Sequence, residues 1–258
     1  METIVWEDCA VQSIILRKQD WGEADELVVF LARDLGRLTG VAKNAKKSRV
    51  RFGGHLEPMA LVDLQLRSRK RDDLVWIDEA QVINGFLGIR SNLAKVAKAS
   101  YLFEVSTIFL PEGRPEPAVF SFLVGFLENL QTTDPGSLLF LLDELRLFAL
   151  LGYAPRFDAC TVCGGTLERG EDAFFSHIHG GACHPRCVEE PEARNLPLAP
   201  DTLAVIKKGL AVDRGVAERL RLNRKGLEEL RKALSAFARS QRGAEIKSLL
   251  FLEDMHLW

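Results

Sequence analysis

The chain has 258 residues, 47% of them apolar, and a mean hydropathy near zero, which suits a folded protein of one to three domains with a sizeable core. No run of 18 apolar residues occurs and residues 1–8 carry acids where a secretory signal carries bases, so we expect neither a membrane span nor a secretory signal.

The net charge of −2 excludes a uniformly basic protein, but it averages over segments of opposite sign. Residues 1–34 carry three bases and eight acids, residues 81–204 carry nine and fifteen, and residues 205–247 carry twelve and five. Such a chain can hold an anion on one side and leave other faces to protein partners.

The first 83 residues have the alternating hydrophobicity of β structure, with turn residues between the runs. Five strands are predicted, at Val11–Arg17, Glu26–Ala32, Arg37–Ala42, Ala60–Arg67 and Leu74–Ile83. Five short strands in about 80 residues favour a small closed barrel, because closure removes exposed sheet edges. An OB-fold and an SH3-like barrel both fit this pattern.

A strongly basic segment overlaps the third and fourth strands. Residues 37–71 contain ten Lys and Arg against two acids, a local charge near +8 that attracts polyanions. The centre of the segment falls between two strands and is therefore predicted to be a loop. We predict nucleic-acid contacts at Arg37, Lys43, Lys46, Lys47, Arg49, Arg51, Arg67 and Arg69. The alternative is a solvated loop that keeps the protein soluble.

From residue 91 the apolar period changes to 3.6 residues, which predicts helices. They are placed at residues 91–110, 117–131, 137–152, 200–211, 215–222, 227–240 and 244–252, the first with Ser91 or Asn92 as its cap. The third is apolar nearly all round and is predicted to lie in a core, with a groove for a partner peptide as the alternative. The bases of residues 207–247 do not share one helix face, which favours solvated faces over an extension of a DNA track.

Four of the five cysteines form two close pairs, Cys160-x2-Cys163 and Cys183-x3-Cys187, nineteen residues apart. This is the ligand spacing of a four-thiolate zinc site, and four thiolates leave no open position for catalysis. We therefore predict one structural Zn²⁺ per chain held by Cys160, Cys163, Cys183 and Cys187. The nearby histidines His177, His179 and His184 are close enough in sequence to replace one cysteine.

The predicted architecture is α+β. A five-stranded barrel at residues 1–83, OB-like or SH3-like, is expected to bind nucleic acid, and a helical domain at residues 84–258 is expected to carry a four-cysteine zinc knuckle at residues 157–190. The knuckle is expected to clamp the two halves of the helical domain.

Two parts of the chain resemble the RecO family of bacterial DNA repair proteins. V-A-K-N-A-K-K-S at residues 41–48 with R-F-G-G-H-L-E-P at residues 51–58 is similar to the first family segment, and K-S-L-L-F-L at residues 247–252 to the last. Asn44 stands where the family tends to have Gly, and Asn also tolerates a positive φ. Glu57 stands where the family usually has Gln, which puts one acid near the basic loop.

The resemblance implies an OB-fold and a supporting role for the cysteine knuckle. It also implies a cytoplasmic, nucleoid-associated protein of DNA recombination and repair that binds single- and double-stranded DNA and anneals complementary strands. With a RecR-like mediator, such a protein helps to load a recombinase on single strands coated by the single-strand binding protein SSB. Neither a membrane nor a small-molecule substrate is expected as a partner.

The motifs of common catalytic sites are missing from the sequence, among them the P-loop, G-x-G-x-x-G, G-x-S-x-G and H-E-x-x-H. The zinc deaminase pattern also fails, because His177-Ile178-His179 has no Glu at its third position. We therefore predict a protein that is not an enzyme. A zinc-dependent enzyme that modifies nucleotides or nucleic acid, and a zinc-containing adaptor that binds only proteins, remain the alternatives.

Aromatic residues of the barrel add one further expectation. Trp21, Phe30 and Phe52 could stack on unpaired bases, although aromatic residues at such positions more often belong to a core.

Overall fold

The computed structural model describes residues 8–67, 74–168, 170–188, 195–242 and 245–258. In these ranges the first part of the chain forms β1 Cys9–Trp21, β2 Asp25–Ala32, β3 Gly36–Ala42, β4 Leu61–Arg67, β5 Leu74–Asn84, α1 Leu87–Arg90, α2 Leu93–Phe109 and α3 Pro117–Thr132. The second part forms α4 Ser137–Leu150, β6 Ala173–Ser176, β7 Gly181–Cys183, β8 Asn195–Leu198, α5 Pro200–Ala211, α6 Arg214–Ala217, α7 Arg224–Arg242 and α8 Lys247–Asp254. No helix in the described ranges has the length and apolar character needed to cross a bilayer.

Strands β1 to β5 close into a barrel in the order β1-β2-β3-β5-β4. Strand β3 pairs with β5 in parallel, and the other four pairings, including the closing one between β1 and β4, are antiparallel. This is the strand order of an OB-fold, so the predicted OB-like barrel is confirmed. The five predicted strands are all present, and β1 extends further at both ends than its prediction.

The barrel core follows from the alternation that predicted the strands. Inward positions on every strand are buried, and two residues of the loop between β3 and β4 join them, since Phe52 and Leu56 are each only 2% exposed. Five residues of this core, Ile15, Val28, Phe30, Val62 and Leu64, are 0% exposed. At roughly 25 cal/mol per Å² of apolar surface, this core is the main term that stabilises the barrel.

The chain divides into two compact units. The first consists of the described residues of Met1–Ala99 with Phe109–Asp134, and the second of Ser100–Ile108 with Pro135–Trp258. The boundary predicted after residue 83 coincides with the end of the barrel and stays a prediction as a domain boundary.

In the first unit, two lysines of α2 hold the carboxyl end of α3. Lys98 is 3% exposed and its Nζ lies 2.8 Å from Asp134 Oδ1, while Lys95 Nζ donates to Gln131 O over 3.3 Å. Cations at this end of a helix satisfy unpaired carbonyls and oppose the negative end of the helix dipole. The helix start predicted at Ser91 or Asn92 is set by Asn92, whose Oδ1 accepts from the N–H groups of Ala94 and Lys95.

In the second unit, α4 is the central helix, as its apolar sequence predicts. Ten of its residues are buried, in the run from Leu138 to Phe148. Asp143 is among them and accepts from Arg214 and Arg146, at 3.0 Å and 3.1 Å for the closest ion-pair contacts. Burial raises the pKa of Asp143, and the two guanidinium groups oppose that rise. The arginines compensate a carboxylate that would otherwise be buried without a partner.

Helix α8 is capped by a side chain from α2. The carboxylate of Glu104 accepts from the backbone N–H of Lys247 (3.1 Å), the backbone N–H of Ser248 (2.8 Å) and the Ser248 hydroxyl (2.5 Å). Ile246 precedes the helix and supplies no side-chain cap of its own. The K-S-L-L-F-L segment thus contributes the capped first turn of α8, with Leu249 and Leu252 as its buried positions.

A small sheet of order β7-β6-β8 was not predicted from the sequence. Its strands have only three or four residues, which is too short for an alternating pattern to stand out. The segment predicted as a helix at residues 215–222 is also different, because the helix there, α6, has only four residues and ends at Ala217.

A buried carboxyl in the second unit should make stability depend on pH. Burial raises the pKa of Glu144 to about 8, and the Tyr101 hydroxyl, 2.6 Å from its Oε1, opposes that rise. The folded state therefore binds this proton more tightly than the unfolded state, so the contribution of Glu144 to stability is full below pH 4.5 and is lost as pH rises through about 8. We expect Glu144→Gln, which keeps an acceptor for Tyr101, to remove about 3 to 5 kcal/mol of this pH dependence.

Urea unfolding at a series of pH values between 5 and 9 measures the effect. Glu128→Gln, at an exposed position of α3, is the matched control and should keep the wild-type profile. Superimposable pH profiles for the wild type and Glu144→Gln would show that this carboxyl carries no linked proton.

Candidate nucleic-acid interface and metal site

The basic loop comprises residues 43–60, between β3 and β4, and it is built from successive turns. The N–H groups of Lys47 and Ser48 both donate to Asn44 O, at 3.1 and 3.0 Å, and Phe52 N–H donates to Ser48 O. The buried rings and branches of Phe52 and Leu56 anchor this loop in the barrel. The loop is therefore a folded platform that presents its cations at fixed positions.

Asn44 makes the turn that begins the loop. Its φ of 56° lies in the left-handed region, and its backbone N–H donates to Asp25 Oδ1 over 2.8 Å. Asn is one of the few residues other than Gly that tolerates this conformation, so the turn forms here without a glycine.

Two of the cations are held by aromatic rings and by the loop backbone. Lys43 Nζ lies 4.7 Å from the centroid of the Trp76 ring. Arg51 lies over the Phe52 ring at 5.0 Å, and its guanidinium donates to Lys43 O (2.9 Å) and Ser48 Oγ (3.2 Å). These contacts orient the side chains and leave their charges uncompensated.

The charge of the loop is concentrated on four side chains. In the ranges that the structure describes, no carboxylate lies within ion-pair distance of Lys43, Lys47, Arg49 or Arg51. Lys46 differs, because its Nζ lies 3.0 Å from Asp20 Oδ2. Four uncompensated positive charges on one loop form a local site for a polyanion.

The flanking residues predicted as contacts lie in other surroundings. Arg37 Nε donates to Leu110 O over 3.0 Å and its guanidinium lies 3.9 Å from Glu112, while Arg67 pairs with Asp78 at 2.9 Å. The hydrogen bond and charge of Asp78 raise the pKa of Arg67. Arg69 lies outside the described residues. The structure thus brings together the five central residues of the prediction, and the DNA contacts of Arg37 and Arg67 stay predictions.

Glu57, the acid expected near the loop, is neutralised by neighbouring cations. Lys18 Nζ lies 2.7 Å from its Oε1, and Arg90 lies 3.9 Å from its Oε2. An anion that approaches the loop therefore meets this carboxylate in a compensated form.

Four of the twelve bases in the second basic region, residues 207–247, form ion pairs within the second unit. Its ion pairs are Arg214–Asp143, Lys225–Glu229, Lys232–Glu228 and Arg239–Glu253. Arg221 donates to two backbone carbonyls, and Lys207 donates to Leu167 O. This pairing favours structural and solvated roles for the bases of residues 207–247.

Four side chains of the second unit converge as metal ligands. Cys160 Sγ, Cys163 Sγ, Cys187 Sγ and a ring nitrogen of His184 all lie within 4.8 Å of one another. Sulfurs around a tetrahedral zinc are about 3.8 Å apart, so this group needs only a small contraction to close on an ion. The arrangement can hold a metal.

The fourth position differs from the sequence prediction. His184, and not Cys183, completes the group. His184 Nε2 lies 2.9 Å from Thr166 O and must carry the proton of that hydrogen bond, because a carbonyl only accepts. Its Nδ1 is thereby left as an acceptor 3.4 Å from Cys163 Sγ, the orientation expected of a metal-binding imidazole.

The thiol of Cys183 has a different partner, which the strand paired with its own provides. Cys183 pairs with Phe174 in the β6–β7 hairpin, is 1% exposed, and its Sγ donates to Phe174 O over 3.4 Å. Burial, together with the charges of Cys160 and Cys187, raises the pKa of Cys183 to about 11. The prediction that Cys183 is the fourth ligand is therefore corrected to His184. The signal in the sequence is the spacing: His184-x2-Cys187 repeats Cys160-x2-Cys163, whereas Cys183-x3-Cys187 does not.

The backbone around the first cysteine pair, Cys160-x2-Cys163, favours the thiolate form of Cys160. Burial alone would raise the pKa of Cys160, but N–H groups of Cys163, His184 and Val162 donate to the sulfur and lower its pKa to about 6. Gly164, at φ 73°, makes the turn that follows Cys163. The backbone is thus folded to point donors at the sulfur before any ion binds.

The knuckle also contacts the helices that follow it. Phe157 stacks on Phe175 with centroids 5.8 Å apart, and Phe175 meets Phe237 of α7 edge to face at 6.2 Å. The Ser240 hydroxyl of α7 donates to His177 O. These contacts support the predicted supporting role of the knuckle.

The fold and the site together define a class: an OB-like barrel protein with a basic loop on the barrel and, among its helices, a Cys/His group that can hold a metal ion. The family model "Recombination protein O N terminal" matches residues 7–86, and "Recombination protein O C terminal" matches residues 90–250. The chain belongs to the RecO family, which gives it a role in DNA repair by recombination.

Curated relatives agree over nearly the full length. The DNA repair protein RecO of Syntrophus aciditrophicus (strain SB) is 31% identical over 245 residues, which is 95% of each chain. The protein of the same name from Syntrophotalea carbinolica is 32% identical over 249 residues, 96% of this chain and 95% of the relative. That from Anaeromyxobacter sp. (strain K) is 31% identical over 242 residues, 94% of each chain.

Proposed function

We propose that this chain is a DNA-binding protein that anneals complementary strands and does no covalent chemistry. The observation that supports the proposal most directly is the basic loop, where Lys43, Lys47, Arg49 and Arg51 have no carboxylate partner in the described ranges. Each of these cations can displace a counterion from a phosphate, which gives affinity without reading a base.

Annealing follows from charge neutralisation on this surface. Two single strands repel each other through their phosphates, and a shared cationic loop lowers that repulsion while the bases find their partners. Contacts to phosphates tolerate any sequence, so both strands can bind wherever complementarity lies. Membership of the RecO family agrees with this use of the barrel.

In the cell, we infer that the protein works in the cytoplasm on nucleoid DNA with two protein partners. A RecR-like mediator and SSB are the proposed partners, and the result is loading of the recombinase on coated single strands. The remaining predicted contacts, Arg37, Arg67 and Arg69, belong to the same proposal as a wider DNA footprint on the barrel.

The metal is proposed to be one structural zinc ion per chain. Three cysteines and one histidine are a soft tetrahedral donor set that suits Zn²⁺. Such a set fills all four positions, so no position remains for a catalytic water. Residues Cys160, Cys163, His184 and Cys187 would bind the ion and thereby fix the knuckle against its neighbours.

A salt titration tests the DNA proposal. Four phosphate contacts at about −0.7 each predict a log–log slope of about −3 for the affinity for an unstructured single strand, measured by fluorescence anisotropy between about 50 and 300 mM salt. The protein should also speed annealing of two complementary oligonucleotides, with the same salt dependence.

Two results would replace the proposal by one of its alternatives. Absence of salt-dependent retention on any DNA would favour an adaptor that binds only proteins. Turnover of a nucleotide or nucleic-acid substrate that stops when a chelator removes the metal would favour an enzyme.

A further inference from the structure

Trp21 is the one of the three predicted stacking residues that reaches the surface. Phe30 and Phe52 are 0% and 2% exposed and belong to the barrel core. Trp21, the last residue of β1, is 49% exposed. A large exposed indole at the tip of a hairpin adds little to the stability of the barrel and is available to a ligand.

The basic loop begins directly beside this hairpin tip. Lys46 Nζ lies 3.0 Å from Asp20 Oδ2 and 3.4 Å from Gly22 O, the residues on either side of Trp21. The backbone N–H of Lys46 donates to Ala24 O over 3.1 Å. Lys46 therefore fixes the distance between the indole and the cations of the loop.

The pairing of β1 with β2 places the Trp21 indole on the face of this hairpin that contacts the start of the basic loop. Trp21 pairs with Asp25 across β1 and β2, so their side chains share one face of the hairpin. The Asp25 carboxylate accepts from Asn44 N–H, at the start of the loop. Two of the acids at the tip, Asp20 and Asp25, are thus engaged with the loop.

A shallow depression of about 370 Å³ lies in the loop, lined by Ala45, Lys46, Ser48, Arg49, Gly53 and Gly54. The depression is therefore lined by two cationic side chains, one hydroxyl group and the backbone of two glycines. Gly54 has φ 83° and nothing lies within 4 Å of the position that a Cβ would occupy, so the backbone is open to the depression. Cations, a hydroxyl and exposed backbone are the groups that bind a phosphate.

We propose that Trp21 and this depression form one subsite for an unpaired nucleotide, in which the indole stacks on the base and Lys46 and Arg49 bind the neighbouring phosphate. The inference rests on the proposed DNA-binding function and adds a preference to it. Stacking needs a base whose face is free, so the subsite favours single strands over duplex. It also assigns Trp21 a role in specificity that the basic residues cannot supply.

The test compares Trp21→Ala with Trp21→Phe on three probes of equal length: oligo(dT), an abasic oligonucleotide and a duplex. The abasic strand keeps the phosphates and lacks the bases. We expect Trp21→Ala to bind oligo(dT) about 5- to 100-fold more weakly, with little change for the other two probes and an unchanged salt slope. Trp21→Phe should recover much of the loss, since it restores an aromatic face.

Leu87→Ala is the matched control, because Leu87 is 75% exposed in the same unit and is not part of the hairpin or the loop. If Trp21→Ala loses the same affinity for oligo(dT) and for the abasic strand, or loses none for either, the stacking subsite is wrong. Salt-dependent DNA binding by the wild type would still support the proposed function in that case. If the wild type itself shows no salt-dependent binding to any probe, the proposed function fails, and the subsite fails with it.

Discussion

We expect the double variant Lys47→Gln/Arg49→Gln to bind an unstructured single strand about 25-fold more weakly than the wild type at about 0.1 M salt. Both side chains are exposed, and neither forms an ion pair within the described ranges. If each contacts one phosphate, removing both changes the log–log salt slope from about −2.8 to about −1.4. With equal affinities at about 1 M salt, this slope difference of about 1.4 over one decade of salt gives the expected loss of about 25-fold at about 0.1 M.

The matched control has the same change in net charge on the second unit. Lys208 and Arg219 are also exposed and without an ion pair in the described ranges, and Lys208→Gln/Arg219→Gln should bind DNA as the wild type does. Both double variants should keep the melting temperature, because none of the four side chains contributes a described contact. If the two double variants lose affinity equally, DNA binding follows the total charge of the chain and the loop has no special part in it.

The barrel could be predicted because its determinants are local. Alternation along each strand reports which face is buried, and turn residues report where each strand ends. Closure was predictable from the number of strands, but the parallel pairing of β3 with β5 was not. That pairing joins residues about 35 positions apart and leaves no mark in either strand alone.

The predicted DNA contacts show what charge counting misses. Arg37, Lys46 and Arg67 add to the positive charge of the segment, yet each lies beside a carboxylate in the folded chain. Their partners are Glu112, Asp20 and Asp78, and only the fold brings these acids near. The sequence therefore located the loop correctly and overstated the number of its uncompensated charges.

The metal site differs from its prediction for another reason. The sequence supplies more candidate ligands than an ion needs, and the spacing of the two cysteine pairs favours the four-cysteine set. In the structure, the adjacent residues Cys183 and His184 have different roles. Cys183 ends β7 and its thiol donates to Phe174 O, whereas His184 begins the turn that leads to Cys187. Equal x2 spacing in both knuckles is the local feature that indicates His184.

We expect Cys160→Ser to abolish metal binding and to lower the melting temperature of the second unit by about 8 to 16 °C. Zinc at a thousandfold excess over its Kd contributes about 4 kcal/mol to stability, and a chain of this size loses about 2 to 4 °C per kcal/mol. Metal analysis should find one zinc per chain in the wild type and close to none in the variant. A chelator should lower the wild-type melting temperature to that of Cys160→Ser and leave the variant unchanged.

His184→Ala and Cys183→Ser decide which residue is the fourth ligand. With His184 as the ligand, His184→Ala loses the ion, while Cys183→Ser keeps it, because a serine hydroxyl can still donate to Phe174 O. The four-cysteine set predicts the reverse, so one pair of metal analyses separates the two. Because Cys183 and His184 are neighbours, local damage would affect both variants alike, and only the choice of ligand makes them differ. Salt-dependent DNA binding that survives in Cys160→Ser at low temperature would then assign the metal to stability and the barrel loop to recognition.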